Sequence, residues 1–291
     1  MEARNLSNAI ACIRSVLYLC SREFLDDFCV PPSQRNNVRV SGSGERTIVF
    51  AHGYGCDQSM WRYVVPFFEG QYRIVLFDHV GAGASDSSAY DQAKYATLHG
   101  YADDIVDIAQ ELDFSGAILV GHSVSAMICA LASMKAPSRF SKLVMIGPSP
   151  RYIDDGSYRG GFSRDQIDEL LDFLSVNYQD WAAATAPAIM GNPDRPELGQ
   201  ELAESFCRAD PEIAKDFARV TFTSDNRADL PLIAIPTLIL QCSEDIIAQL
   251  EVGEYVRDHI PKSRLIVLEA TGHCPNLSAP EEVAAAMRSF V

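Results

Sequence analysis

The chain has 291 residues, 47% hydrophobic and 22% charged, with a formal net charge of −15. A chain of this size buries roughly three quarters of its unfolded surface, so a real core is expected and a disordered or fibrous class is excluded. The negative charge argues against nucleic acid and anionic lipid surfaces as partners, because both need clustered Lys and Arg.

No apolar run reaches the length of about 18 residues that a transmembrane segment needs. Residues 9–20 resemble the core of a signal peptide, but Arg14 interrupts them and no small-residue cleavage site follows. Ile10, Ile13, Leu17, Cys20 and Phe24 instead recur at helical spacing, which predicts an amphipathic helix within an N-terminal extension, residues 1–37. The parent domain is the favoured partner for its apolar face. A partner protein, a membrane interface or an organelle-targeting role for residues 1–30, which carry Arg4, Arg14 and Arg22, are the alternatives. Of two glycosylation sequons, at Asn5 and Asn276, the second would place a glycan beside His273, which weighs for a cytoplasmic protein.

Past Asn37, the segments Val38–Val40 and Thr47–Ala51 flank Ser41-Gly42-Ser43-Gly44 and read as a hairpin-like start to a sheet. Short β-branched runs follow at Tyr72–Phe77, Ala117–Val120, Lys142–Ile146, Thr237–Gln241 and Arg264–Leu268, alternating with amphipathic helical stretches. One helix is marked by Tyr101, Ile105, Ile108 and Leu112, and another runs from Val124 to Lys135 before Pro137. The alternation predicts an α/β fold with a doubly wound, mostly parallel sheet, built from residues 38–150 and 235–291. Residues 151–234 are too long for one crossover and read as an inserted helical cap. Most of its aromatics are expected to pack the cap onto the sheet, with Phe162, Trp181 and Phe222 as candidate pocket residues.

The strongest chemical signal is Gly121-His122-Ser123-Val124-Ser125, directly after an apolar strand and directly before a helix. A serine on such a turn stands above the sheet edge with its hydroxyl free, provided small residues flank it. Gly121 is one of these, and Ser125 stands where the second small residue belongs. Partners follow in the chain order serine, acid, histidine: Asp245 after one strand and His273 after another, with Glu244 as an alternative acid. Serine is a weak nucleophile at its own pKa, so His273 would act as its base and Asp245 would orient the imidazole. The turn Ala51-His52-Gly53-Tyr54-Gly55 would aim the Tyr54 N–H, together with that of Val124, at a developing oxyanion. His52 is read as structural, Cys274 as a small residue packed behind the loop, and Asp78–Ser85 as a tight βα turn. The eight cysteines form no C-x-x-C pair, and no cluster has metal-ligand spacing, so no metal or cofactor is expected.

Together with Cys56-Asp57-Gln58-Ser59, Gly160-Gly161-Phe162, Val252-Gly253-Glu254-Tyr255 and Gly272-His273-Cys274-Pro275, these motifs resemble one small α/β-hydrolase family. It contains the bacterial stress regulator RsbQ and the plant strigolactone and karrikin receptors. The resemblance covers residues 38 to 291 and implies a V-shaped cap of four helices over an apolar pocket, with Ser123, Asp245 and His273 at its floor. Gly121–Met127 is similar to the plant receptors, whereas Phe77–Gly81 and the stretch around Asp245 look more bacterial. The chain departs from the family pattern at Tyr54, where Phe is usual, and a hydroxyl is therefore expected near the pocket floor. It also departs at Gln249, where Pro is usual, so a looser loop around Asp245 is expected.

Two functions share this triad: an esterase or lactonase for small, mostly apolar substrates, and a signalling protein that binds and slowly hydrolyses such a ligand and recruits a protein partner through the cap. A binding-only relic has little need for three triad residues. Ser123 argues against hydrolases of this fold that use a carboxylate nucleophile, and carbon–carbon bond hydrolases stay open.

Overall fold

The computed structural model describes residues 30–291, so the amphipathic helix expected between Ile10 and Phe24 lies outside the described residues. Seven strands form one sheet in the order β1-β3-β2-β4-β5-β6-β7. They are β1 (Arg39–Ser41), β2 (Arg46–Ala51), β3 (Tyr72–Leu76), β4 (Ala117–His122), β5 (Phe140–Ile146), β6 (Thr237–Glu244) and β7 (Ser263–Thr271). All neighbours run parallel except β1. The central strand β4 is buried along its whole length, as expected of a parallel strand covered on both faces.

The expected hairpin is corrected: β1 pairs antiparallel with β3, not with β2. The reason lies in the glycines between them. A Cβ on Gly42 would stand 2.1 Å from the Tyr72 carbonyl oxygen, and one on Gly44 1.9 Å from that of Gln71. Ser41–Gly44 therefore does not fold back on itself. It crosses tightly over the start of β3, delivering the chain to that strand's other side.

Helices α1 (Leu98–Glu111) and α2 (Val124–Lys135) flank the sheet, and α2 has the bounds the sequence predicts. Between β5 and β6 come four helices: α3 (Arg164–Val176), α4 (Tyr178–Met190), α5 (Pro196–Phe206) and α6 (Pro211–Thr223). Each starts where its sequence dictates. Ser163 and Gln166 form a reciprocal capping box on α3, Asn177 caps α4, proline opens α5, and Asp210 caps α6 ahead of Pro211. After β6, α7 (Leu250–His259) and α8 (Pro280–Arg288) complete the fold.

The two roots of this cap are clasped together by charge. Asp225 bridges Arg151 and Arg227, each at 2.7 Å, and Arg227 also reaches Asp155 at 2.6 Å. Hydrogen bonds from Arg227 and Arg151 outweigh burial and pull the Asp225 carboxyl down to about 2. Unfolded aspartate titrates near 3.9, so this stabilisation is complete above about pH 4 and fades as pH falls toward 2. Asp225→Asn is expected to lower Tm by about 2 °C at pH 7, since exposed pairs contribute little. In thermal melts at pH 7, 5 and 3, its gap from the wild type narrows at the lowest pH.

Candidate active site

After β2 the chain turns to β3 on one side, and after β4 it turns to β5 on the other, so a crevice opens where these two exits diverge. Ser123 sits there, at the junction of β4 and α2, with φ 58° and ψ −127°. Positive φ is uncommon for a residue with a side chain and is the strained geometry of a nucleophile turn. It is made possible by Gly121: a Cβ there would lie 2.2 Å from the Ser125 carbonyl oxygen. Gly121→Ala is therefore expected to cost about 3 kcal/mol, or roughly 6–12 °C in Tm, measurable by thermal unfolding.

The three candidate residues meet at this turn. His273 Nε2 lies 2.8 Å from Ser123 Oγ, and His273 Nδ1 lies 2.7 Å from Asp245 Oδ2. All three side chains are buried. Burial pushes the Asp245 carboxyl up, but the charge and hydrogen bond of His273 and the N–H groups of Ile247 and Ala248 hold it below its usual value. Those two N–H groups donate to Asp245 Oδ1 at 2.8 and 3.1 Å. Gln241 Nε2 further donates to the Ala248 carbonyl. The loop is thus fastened, contrary to the looseness expected from Gln249. Glu244, the alternative acid, is exposed and offers only its backbone carbonyl, to Gly272 N–H at 2.7 Å.

Three more histidines support the floor, all buried and held neutral. Burial drives each pKa down, that of His122 to about 3. His122 Nε2–H donates to the His273 carbonyl at 2.7 Å, which anchors the backbone of His273. His79 Nε2 contacts Ser125 Oγ at 2.7 Å, and Ser125 in turn donates to the His52 carbonyl. Ser125 thereby pins the start of the Gly53–Tyr54 turn, and His52 is structural. The sequence reading passed over His122. Its place beside Ser123 was the available signal, but its partner lies 151 residues away.

Val124 is the first residue of α2, whose leading N–H groups have no intrahelical acceptor. Tyr54 lines the cavity above Ser123, but its hydroxyl does not sit at the floor as expected: it donates to the Ala214 carbonyl of α6 at 3.1 Å. The ring packs against Trp181, Phe206, Phe217 and Phe222.

The cavity is lined from the core by Tyr54, His122, Ser123 and His273, and from the cap by Trp181, Leu202, Phe206, Thr221 and Phe222, among others. Its volume of about 30 Å³ holds about two water-sized groups. Trp181 and Phe222, two of the candidate pocket residues, are among the lining residues. Phe162 is not among the lining residues: its backbone pairs with Tyr152 and Asp154 ahead of α3, on a loop that Asp154 fastens through the N–H groups of Gly160 and Gly161. Cys274 also departs from expectation, since it faces the cavity rather than packing behind the loop. A larger open groove of about 860 Å³, beside Asp57, Arg62, Glu201 and Arg208, includes no triad residue.

His273 is also tied to the cap. His273 N–H donates to the Ile189 carbonyl at 2.9 Å, Asn192 Nδ2 donates to Thr271 O at 3.1 Å, and Thr271 Oγ1 donates to Gly191 O at 3.2 Å. Asn276, the acceptor of the second sequon, is fully buried and donates to the Met60 carbonyl at 3.1 Å, out of reach of glycosylation in the folded chain. Among the described residues no helix is long and apolar enough to cross a membrane, and no cluster of side chains could hold a metal ion.

Residues 48–286 match the model of the alpha/beta hydrolase family. The chain is 39% identical to the strigolactone esterase D14 of Arabidopsis thaliana over 87% of its own length and 94% of that protein's. It is 38% identical to the Karrikin insensitive 2 receptor CA of Petunia hybrida, over 86% of its own length and 93% of that protein's. A solved hydrolase from Oleispira antarctica superposes with a TM-score of 0.87 at 41% identity, covering 89% of this chain and 95% of that one. This chain is a member of the alpha/beta hydrolase family.

Proposed function

We propose that the protein is a serine hydrolase of small, mostly apolar carboxylic esters or lactones, acting through an acyl-enzyme. The observation that carries this reading is the unbroken relay of two hydrogen bonds from Asp245 through His273 to Ser123. Ser123 Oγ attacks the ester carbonyl while His273 Nε2 takes its proton, and Asp245 stabilises the resulting imidazolium. The N–H groups of Tyr54 and Val124 receive the oxyanion. His273 then protonates the departing alkoxide, which leaves the acyl group on Ser123. A water that gives its proton to His273 cleaves that ester and restores the serine.

A second reading is favoured by one observation: a relative of this similarity carries a receptor's name, and another an esterase's. In that reading the same chemistry runs slowly on a butenolide-like ligand, and the cap presents the occupied state to a signalling protein.

Burst kinetics on an activated aryl ester, with the adduct followed by intact mass, separate the two. A metabolic hydrolase turns over at about 1–1000 per second and shows a burst absent from Ser123→Ala. A receptor forms the same adduct but releases it over minutes, and pull-down with ligand would then retrieve its partner. No adduct with any of several esters would sink the acyl-enzyme in both readings.

A further inference from the structure

Four side chains that line the cavity outside the proposed triad carry a buried polar atom with no hydrogen-bond partner among the described residues, namely His122 Nδ1, Tyr152 Oη, Trp181 Nε1 and Thr221 Oγ1, and Thr221 is the one aliphatic hydroxyl among them. Thr221, near the end of α6, is 1% exposed and lines the cavity beside Phe222. Its Oγ1 is buried and has no hydrogen-bond partner among the described residues. A helical threonine ordinarily has one within reach, because its hydroxyl can bond the carbonyl four residues back. Its cap neighbours do this: Thr185 donates to Trp181 O and Thr223 to Arg219 O, each at 2.7 Å. Thr221 leaves the equivalent carbonyl, that of Phe217, unused. A buried hydroxyl without a partner gives up its hydration for nothing, and a valine would fill the same shape without that penalty.

We infer that Thr221 is a specificity-determining residue that donates to a second, neutral oxygen of the substrate, remote from the carbonyl that Ser123 attacks. The inference rests on the reading of Ser123 as the nucleophile and narrows the substrate class within it. Ser123 and His273 form the core side of the cavity and Thr221 belongs to the cap side. A bound ester therefore places its reacting carbonyl on the floor and the second oxygen toward α6. That oxygen is an ether, ketone or lactone oxygen rather than a carboxylate. No Lys or Arg lines the cavity to neutralise an anion, and the net charge of −15 repels one. The substrates so selected are small oxygenated acyl esters or lactones, in preference to hydrocarbon esters of the same shape.

4-Nitrophenyl methoxyacetate and 4-nitrophenyl butyrate test this, because one ether oxygen in place of a methylene is their only difference. Their kcat/KM ratio is measured in the wild type, Thr221→Val and Thr221→Ser, so intrinsic ester reactivity cancels between proteins. Thr221→Val is expected to lower the methoxyacetate preference about 10-fold, and Thr221→Ser to keep most of it. An unchanged ratio in Thr221→Val overturns the assignment. So does an equal fall in Thr221→Ser, which would make shape the cause. The Tm of Thr221→Val should equal or exceed that of the wild type, since an unpaired hydroxyl is removed, and a clear fall would mark the hydroxyl as structural and overturn the inference.

A separate measurement keeps the two readings apart. Calorimetric binding of methyl methoxyacetate and methyl butyrate to Ser123→Ala, with and without Thr221→Val, needs no turnover. If the wild type forms no acyl-enzyme, the nucleophile reading fails, yet the binding preference should still drop about 10-fold with Thr221→Val. A preference that does not move, or no binding of either ester, overturns the role of Thr221.

Discussion

Ser123→Ala is expected to lower kcat/KM on an activated aryl ester by roughly 10⁵-fold, a loss of about 7 kcal/mol of transition-state stabilisation. The loss is large because, among the hydroxyls lining the cavity, Ser123 Oγ is the one set against His273 Nε2, at 2.8 Å. Buried Cys56 and Cys274 share the cavity but are no substitutes. Burial pushes the Cys56 thiol up to about 12 and the Cys274 thiol well above its usual value, which leaves both protonated and inert. The measurement is a steady-state assay joined to intact mass. Retention of an acyl adduct by the alanine variant would move the nucleophile elsewhere and sink the assignment. Circular dichroism and Tm control for folding, since alanine keeps the positive φ but none of the reactivity.

Asp245→Asn is expected to cost about 10⁴-fold in kcat with little change in KM. An asparagine that donates its N–H to His273 Nδ1 forces the proton of the neutral ring onto Nε2. The ring then faces Ser123 with a donor and cannot accept the hydroxyl proton. In the wild type the Asp245 carboxyl lies below its ordinary value, so it is ionised at every pH above about 4. Its stabilising contribution is complete above the unfolded value and is lost only as pH falls through the folded one. The wild-type pH–rate profile should therefore show no limb from this group in the neutral range. Glu244→Gln is the control, expected to stay within about two-fold of the wild type, because surface changes of this kind cost little. A large loss there and none in Asp245→Asn would exchange the two acids.

Much of the site was legible because parallel α/β sheets place chemistry where strands end. Ser123, Asp245 and His273 each follow a strand, and strand and helix periodicity locate those ends from local sequence alone. What failed was long-range. The Ser41–Gly44 stretch has the composition of a hairpin turn, but its glycines serve an approach to Gln71 and Tyr72 that only the assembled sheet creates. Phe162 has the aromatic character of a pocket residue, yet the fastening of Gly160 and Gly161 by Asp154 holds its backbone outside the cavity lining. His122 and Thr221 are defined by a partner gained across the fold and a partner left out, and neither leaves a local trace.

The hydrogen bonds between the end of α4 and the segment Thr271–His273 make the cap and the base two arms of one lever. A cavity with room for about two water-sized groups admits a larger substrate only if cap helices swing aside. Since the backbone of His273 hangs from the Ile189 carbonyl, a displacement of this end of α4 would be passed on to His273 and to its distance from Ser123. Cap motion that admits a bulky ligand would therefore act on the spacing of His273 and Ser123 as well as on access, and lid movement could then set the pace of turnover.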